Sequence, residues 1–349
     1  MSIDLKITSM EVNRENLERY KEAFEKNDMP MPLPKLQWQH DHYLKRSFIS
    51  WIIDDNNCIA GLYSSFFVDF LAEGNRKAAA QSIDTLTDIN YRGKGLFTKL
   101  ASDVNKRLAD AGTPFIYGFP NSSSAPGFFK KLGWQKIGDG SVPFLVRPIR
   151  FTFFLKKLMK AKESPAKPLQ TATITHDKIR AMKDFNDGRV NALAETFLSG
   201  KKYAVCRDSN YLNWRFVEKP DEQYSLYGYY ESGVLKGFVV FTVKQKHGGN
   251  IGYIMDLIYD PQEGKTGKAL LKFAVKAMKQ SGADLVLAWN FKESPNRPAF
   301  KSNLFFIMPE KLKTIQLFFG ACLFDGSIDK AAFFNAANWY ISYCDSDTV

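Results

Sequence analysis

The order of strand, turn and helix signals runs twice along this chain, and that repeat limits its fold more than any other feature. In the first pass, Ser47 to Asp54 is rich in β-branched and aromatic residues and predicts a strand. Asp54-Asp55-Asn56-Asn57 is a turn, and Cys58 to Phe70 is strand-like again. The polar run Glu73-Gly74-Asn75-Arg76-Lys77 breaks it before a third strand near Ala79 to Thr87. A glycine loop, Tyr91-Arg92-Gly93-Lys94-Gly95, then opens a helix in which Leu96, Leu100, Val104 and Leu108 recur once per turn. Gly112 ends the helix, and Pro114 to Tyr117 is a strand leading to Asn121.

The second pass has the same order. Tyr224 to Tyr230, Val234 to Lys246 and Ile251 to Tyr259 predict strands separated by Glu231-Ser232-Gly233 and His247-Gly248-Gly249-Asn250. A loop from Pro261 to Gly267 leads to a helix at Lys268 to Lys279, and Asp284 to Trp289 is a strand ending at Asn290. The final glycine of the loop lies 26 positions before the asparagine in one pass and 23 in the other. The repeat rests on pattern, since few residues match.

A length of 349 residues accommodates two such units. The expected organisation is an α/β (α+β) domain over 1–150, a linker helix and linker over 151–170, and a second domain over 171–349. Within the linker, Phe151 to Lys160 is apolar and basic together. It reads either as a helix on an anionic membrane surface or as a connecting helix packed on a domain. Ala161 to Pro168 is a linker by composition.

The net charge of +11 is spread along the chain and reads as a solvated lysine-rich surface. No interleaved basic and aromatic motif points to nucleic acid. Cys58, Cys206, Cys322 and Cys344 form no CxxC pair and read as reduced thiols, so no metal is expected. Met1 to Ile7 lacks the apolar core of a signal peptide, and no stretch approaches the roughly 18 apolar residues of a membrane span. These readings place the protein in the cytoplasm. Oligomeric state is not legible.

The chemistry concentrates in Ile83 to Thr98. Amides in the first turn of a helix lack internal partners and carry the positive end of the dipole, so a diphosphate fits there. Glycines let the backbone approach the phosphate, and Arg92 and Lys94 add charge. A triphosphate loop would need a glycine where Tyr259 stands before Gly264-Lys265-Thr266. A dinucleotide loop would need one at Thr98.

Arg92, Gly93, Lys94, Gly95, Leu96 and Phe97 instead resemble the cofactor loop of the GNAT superfamily of acyl-CoA N-acyltransferases, with Phe97 replacing a small residue. Asn121 to Trp134, ending Lys131-Leu132-Gly133-Trp134, is similar to the next motif of that family. The resemblance covers residues 1 to 149. It implies two tandem GNAT-like domains, each a mixed, mostly antiparallel sheet flanked by helices and splayed between its fourth and fifth strands, the second domain degenerate. It also implies acyl transfer, with acetyl-CoA or another acyl-CoA as cosubstrate, to a small-molecule amine acceptor such as an amino sugar. The alternative is a catalytically weak CoA-binding or regulatory module.

The cofactor residues implied are Leu86, Thr87 and Asp88, the loop Arg92, Gly93, Lys94, Gly95, Leu96, Phe97 and Thr98, and Asn121 and Phe129. A main-chain amide between Leu86 and Asp88 would polarise the thioester carbonyl. Phe129 stands where the family's proton donor to the thiolate is a tyrosine, so Tyr117 or a water takes that role. A lysine-like amine, near pKa ~10.4, needs a base. Asp84 is the candidate, and the reading of Asp84 and Asp88 as ordinary turn aspartates stays open. His40 and His42 read as part of an ordinary polar loop, the alternative being that they border the acceptor. Tyr211, Trp214 and Arg215 read as packing on a short helix opened by Asp208 or Ser209.

Overall fold

The computed structural model describes residues 6–41, 43–159, 174–220, 222–246 and 248–346. His42 and the linker after residue 159 lie outside them. The chain forms two compact units, and neither is continuous in sequence. Unit 1 is Met1–Ser141 with Glu218–Asp221 and Leu317–Asn335. Unit 2 is Val142–Val217, Glu222–Gln316 and Ala336–Val349.

Unit 1 contains β1 (Ile7–Ser9), α1 (Arg14–Lys26), α2 (Leu33–His40), β2 (Ser47–Ile53), β3 (Ile59–Ala72) and β4 (Asn75–Thr87). Then come α3 (Leu96–Asp110), β5 (Phe115–Gly118), α4 (Ala125–Lys131) and β6 (Gln135–Ser141). Unit 2 contains β7 (Phe144–Pro148), α5 (Phe151–Leu158), β8 (Ile179–Ala181), α6 (Val190–Leu198), β9 (Tyr203–Val205) and α7 (Ser209–Phe216). It continues with β10 (Ser225–Glu231), β11 (Val234–Lys246), β12 (Gly249–Tyr259), α8 (Gly264–Gln280), β13 (Leu285–Trp289), α9 (Arg297–Ser302) and β14 (Phe306–Ile307). The chain then returns to unit 1 as β15 (Phe318–Leu323) and α10 (Lys330–Phe333).

The sheet of unit 1 runs β1-β2-β3-β4-β5-β15-β6, antiparallel except for β4 beside β5. The strand between β5 and β6 is therefore supplied from about two hundred residues downstream, with Cys322 opposite Ile116 and Gly320 opposite Lys136. The sheet of unit 2 runs β14-β7-β13-β12-β11-β10-β8, with β12 and β13 parallel. Here β7, which a boundary at residue 150 assigns to the first half, pairs with β13 through Val146 and Leu287. Antiparallel neighbours around one parallel pair make both sheets mixed, as the resemblance implies.

Helices cover both faces of the sheet in unit 1, which is why β2 and β3 are apolar almost throughout. On one face, Leu96, Leu100, Val104 and Leu108 of α3 are buried against Tyr63, Phe67 and Ile116. On the other, Leu17 and Tyr20 of α1 and Leu36 of α2 cover Ile49, Leu62 and Leu86. Asn13 caps α1, accepting from the Asn16 amide at 2.9 Å. The polar run after β3 is shorter than expected. Glu73 (φ 51°) and Gly74 (φ 81°) make a two-residue turn with both φ positive, so β4 starts at Asn75.

The loop expected before the helix of the second repeat is wound into α8, which begins at Gly264. A Cβ on Gly267 would overlap the Tyr259 ring, so this glycine serves close packing between helix and strand.

Candidate functional site

In unit 1 the splay forms where β4 and β5 part. Their pairing covers Ala80↔Ile116 and Gln81↔Tyr117, while β4 runs on to Thr87. A bulge lies just past the fork. Ser65 faces Ser82 and Tyr63 faces Thr85, so β4 spends an extra residue at Ile83–Asp84. Beyond the bulge, the Asp88 amide donates to Ala60 O at 3.0 Å. Residues of an antiparallel strand point alternately toward and away from their partner. Asp88 and Leu86 thus spend their amides on β3, and the amides of Thr87 and Thr85 face the β5 side. Of the three residues expected to polarise a thioester, Thr87 has the required orientation.

The loop after β4 is held in place from outside its glycines. Asp88 accepts from the Asn90 amide at 3.0 Å and from Asn27 Nδ2 at 3.3 Å, with Lys26 at 3.7 Å. Burial raises its pKa, but these donors outweigh burial and hold it below the usual value. Asp88 is thus a turn aspartate, the other reading open to it. Tyr91 donates to Asp54 Oδ2 at 2.9 Å, and Lys94 Nζ lies 4.7 Å from the Tyr91 ring centroid.

Gly93 (φ 79°) and Gly95 (φ 75°) both take the left-handed conformation, and nothing lies within 4 Å of where a Cβ would point at either. Gly95 is the N-cap of α3, and no side chain caps that helix. The first-turn amides of Leu96, Phe97 and Thr98 therefore have no side-chain cap, and a helix start of this kind suits an anion. Arg92 and Lys94 are exposed beside it. Phe97 does not obstruct the loop, because its ring turns inward over Gly127 and packs edge-on to Phe128 at 5.1 Å.

The corresponding place in unit 2 is built differently, although Gly264 at the start of α8 also has open space around it. Tyr259 fills the space over Gly267, and Glu263 stands as the N-cap of α8. A carboxylate there repels a diphosphate.

Asp84 leans from the bulge toward α1 and α2. Its Oδ2 accepts from Tyr20 Oη at 2.8 Å and from Gln39 Nε2 at 2.5 Å. Tyr20 also contacts Ser64 Oγ at 3.2 Å. The amide nitrogen of Gln39 being fixed on the carboxylate, its buried Oε1 is left without a protein partner. The sequence pointed to Asp84 but missed Tyr20 and Gln39. The spacing of Leu17, Tyr20 and Phe24 behind Asn13 marks a helix, but not which strand that helix covers.

Other expected residues make contacts within the fold. Tyr117 is buried and donates to Gln81 Oε1 at 2.9 Å. Phe129 lies over Gly320 of β15. Asn121 Oδ1 accepts from the Ser123 and Ser124 amides, shaping the turn into α4. A hydroxyl pair at the fork, missed in the sequence, joins Tyr63 Oη to Ser82 Oγ at 2.9 Å. Burial lifts the Tyr63 pKa. His40 is buried, with Nδ1 3.2 Å from Ser47 Oγ. Tyr211, Trp214 and Arg215 are buried on α7, which Asp208 caps through the Tyr211 amide, so packing is their role. Among the described residues no cluster of three or more metal-ligating side chains occurs, and no helix is long and apolar enough to cross a membrane.

Residues 8–137 match the family model of the acetyltransferase (GNAT) domain. No protein of curated function matches the sequence. Among solved structures, N-myristoyltransferase of Saccharomyces cerevisiae with bound myristoyl-CoA and inhibitors is similar over 92% of this chain and 80% of its own. The TM-score is 0.62 and the identity 13%. A probable N-acyltransferase of Enterococcus faecalis V583 is similar over 91% of this chain and 72% of its own, with TM-score 0.59 and 13% identity. A GCN5-related N-acetyltransferase of Anabaena variabilis is similar over 92% and 73%, with TM-score 0.59 and 14% identity. Both units thus share the tandem fold of N-acyltransferases.

Proposed function

Because the first half of the chain carries a GNAT domain, we propose that unit 1 transfers an acyl group, acetyl in the first instance, from coenzyme A to a small amine. An amino sugar is the acceptor class we favour, and the cytoplasm the setting. One observation carries this reading: the uncapped start of α3, with Gly93 and Gly95 open to solvent, lies at the end of the strand that splays from β5. The diphosphate of an acyl-CoA would rest on that turn, with Arg92 and Lys94 beside it. Its thioester arm would then run into the fork, where the Thr87 amide is turned to meet the carbonyl oxygen as it gains charge.

The acceptor would reach the thioester from the α1–α2 face. Asp84, oriented by Tyr20 and Gln39, would take the proton that the amine must lose. The amine nitrogen attacks the carbonyl carbon, the C–S bond breaks, and coenzyme A leaves as a thiol after taking up a proton. Unit 2, whose helix start carries the Glu263 carboxylate, would serve the fold rather than the cofactor.

A second reading, binding without turnover, draws on the burial of the Tyr117 hydroxyl against Gln81 and on Phe129 at the position of the usual acid. One experiment separates the two. Acetyl-CoA is incubated with amino sugars, polyamines and peptide amines while free thiol is followed, and binding is followed in parallel by calorimetry. Thiol release that requires an amine supports transfer. Heat of binding with no release for any amine or acyl length supports the second reading, and no heat with any CoA species overturns both.

A further inference from the structure

We infer that unit 2 docks on an anionic phospholipid surface through a face built from α5, β14 and α8. Helix α5 is apolar on two sides. Phe154 is buried, with its ring 6.1 Å from that of Phe306. On the other side Phe151, Leu155 and Met159 stand one turn apart and are exposed by 65%, 37% and 70%. A connecting helix packed on a domain would have polar residues at those positions. The strand beside it repeats the anomaly, for Phe306 and Ile307 of β14 are 42% and 71% exposed and Leu304 just before it is 70% exposed. Soluble proteins scatter such residues singly, whereas a contiguous group marks a contact surface.

The flank of this apolar group is cationic. A groove of about 650 Å³ is lined by Arg147, Lys265, Lys268, Lys272, Lys276 and Lys279, and Leu304 also lines it. The five lysines are exposed along one side of α8. The three segments that make the face, 143–159, 264–280 and 297–309, carry four, five and two cations and no acidic residue. Within the face, Arg147 is desolvated enough to lower its pKa, and it donates to Asn303 O.

Charge decides the occupant. A second copy of this chain seated on the same face would set lysine rows against each other. A neutral partner would leave the lysines unmatched. A bilayer bearing acidic headgroups offers both complements, acyl chains for the outward stripe of α5 and phosphates for the α8 row.

The test is sedimentation with vesicles of phosphatidylcholine, with and without about 30% phosphatidylglycerol, at near-physiological salt. We expect binding to the anionic vesicles that is at least about tenfold stronger than to neutral ones. The double variant Phe151→Asp, Leu155→Asp should lose it, as should Lys272→Glu, Lys276→Glu. All four side chains are exposed, and unchanged far-ultraviolet dichroism would show that each variant folds. Equal binding to both vesicle types would overturn the inference. So would full binding by the Phe151→Asp, Leu155→Asp variant, which would leave only charge at work, or retention of a nucleic acid homopolymer without retention of vesicles.

Discussion

Asp84 and Asp256 occupy the same bulge of the two units, and each accepts from a tyrosine hydroxyl, Tyr20 at 2.8 Å and Tyr340 at 2.5 Å. Their other partners set them apart. Asp256 also pairs with Arg207 at 2.7 Å, both side chains fully buried, and Asp345 holds the same guanidinium at 2.6 Å. Asp84 is half-buried and takes the amide of Gln39. The repeat has kept a carboxylate at one position, where Arg207 donates to it in unit 2 and Tyr20 and Gln39 donate to it in unit 1.

Opposite effects of one substitution follow. Asp84→Asn should lower kcat by about 10²–10⁴, the usual contribution of a positioned base, with CoA affinity unchanged. Asp256→Asn should instead cost about 3 kcal/mol of stability, since it strips one of two counter-charges from a buried guanidinium. Steady-state kinetics and urea titration of both variants check this. An Asp84→Asn enzyme of full activity would remove Asp84 from the chemistry.

The glycines of the two helix starts should also separate. Gly95→Ala puts a side chain at φ 75°, where an L-residue costs about 1–2 kcal/mol, in the turn proposed to hold the diphosphate. CoA affinity by calorimetry should fall about tenfold or more, as it should for Gly93→Ala. Gly264→Ala, in the first turn of α8 with open space around it, should leave affinity unchanged.

Acid should loosen the strand exchange before the rest of unit 1. Asp325, just past β15, accepts from Ser327 Oγ at 2.6 Å and from the Ser327 amide at 2.9 Å, and Lys77 lies at 3.1 Å. The Ser327 bonds, with Lys77, hold its pKa down at about 2. A carboxylate with a lowered folded pKa stabilises fully above its unfolded value, near 4, and that contribution is lost as pH falls toward 2. After allowance for screening of a partly exposed pair, the loss is about 1 kcal/mol. Asp325→Asn should flatten stability against pH in that window, as read by urea midpoints.

The sequence showed what is local. The α3 stripe, the hairpin turns and the Gly93–Gly95 loop each depend on residues within one or two turns of chain. Two features depend on distance along the chain and were not legible. Insertion of β15 beside β5 joins residues about two hundred apart, and no alternation in Phe318 to Leu323 names its neighbours. The grip of Tyr20 and Gln39 on Asp84 is set by how α1 and α2 lie on the sheet. The loop of the second repeat was drawn too far, to Gly267, because two glycines in four residues look like a turn, whereas Gly267 lies inside α8 where the Tyr259 ring leaves no room for a Cβ.

That same distance makes the first half dependent on the last. A fragment ending at Ser141 would lack β15, leaving β5 and β6 without the strand that joins them. Phe129 would lose Gly320 and Phe318 beneath it, Phe115 would lose its edge-on contact with Phe333 at 4.9 Å, and Lys77 would lose Asp325. Two unpaired strand edges and a bared aromatic cluster favour association over folding. The fragment should therefore aggregate or show no cooperative thermal transition, although it holds the whole segment that matches the GNAT domain. Adding a second fragment from Val142 onward should restore a transition, because it brings back β15, whose neighbours β5 and β6 lie in the first. A cooperative transition by calorimetry in the first fragment alone would show that the returning strand is dispensable.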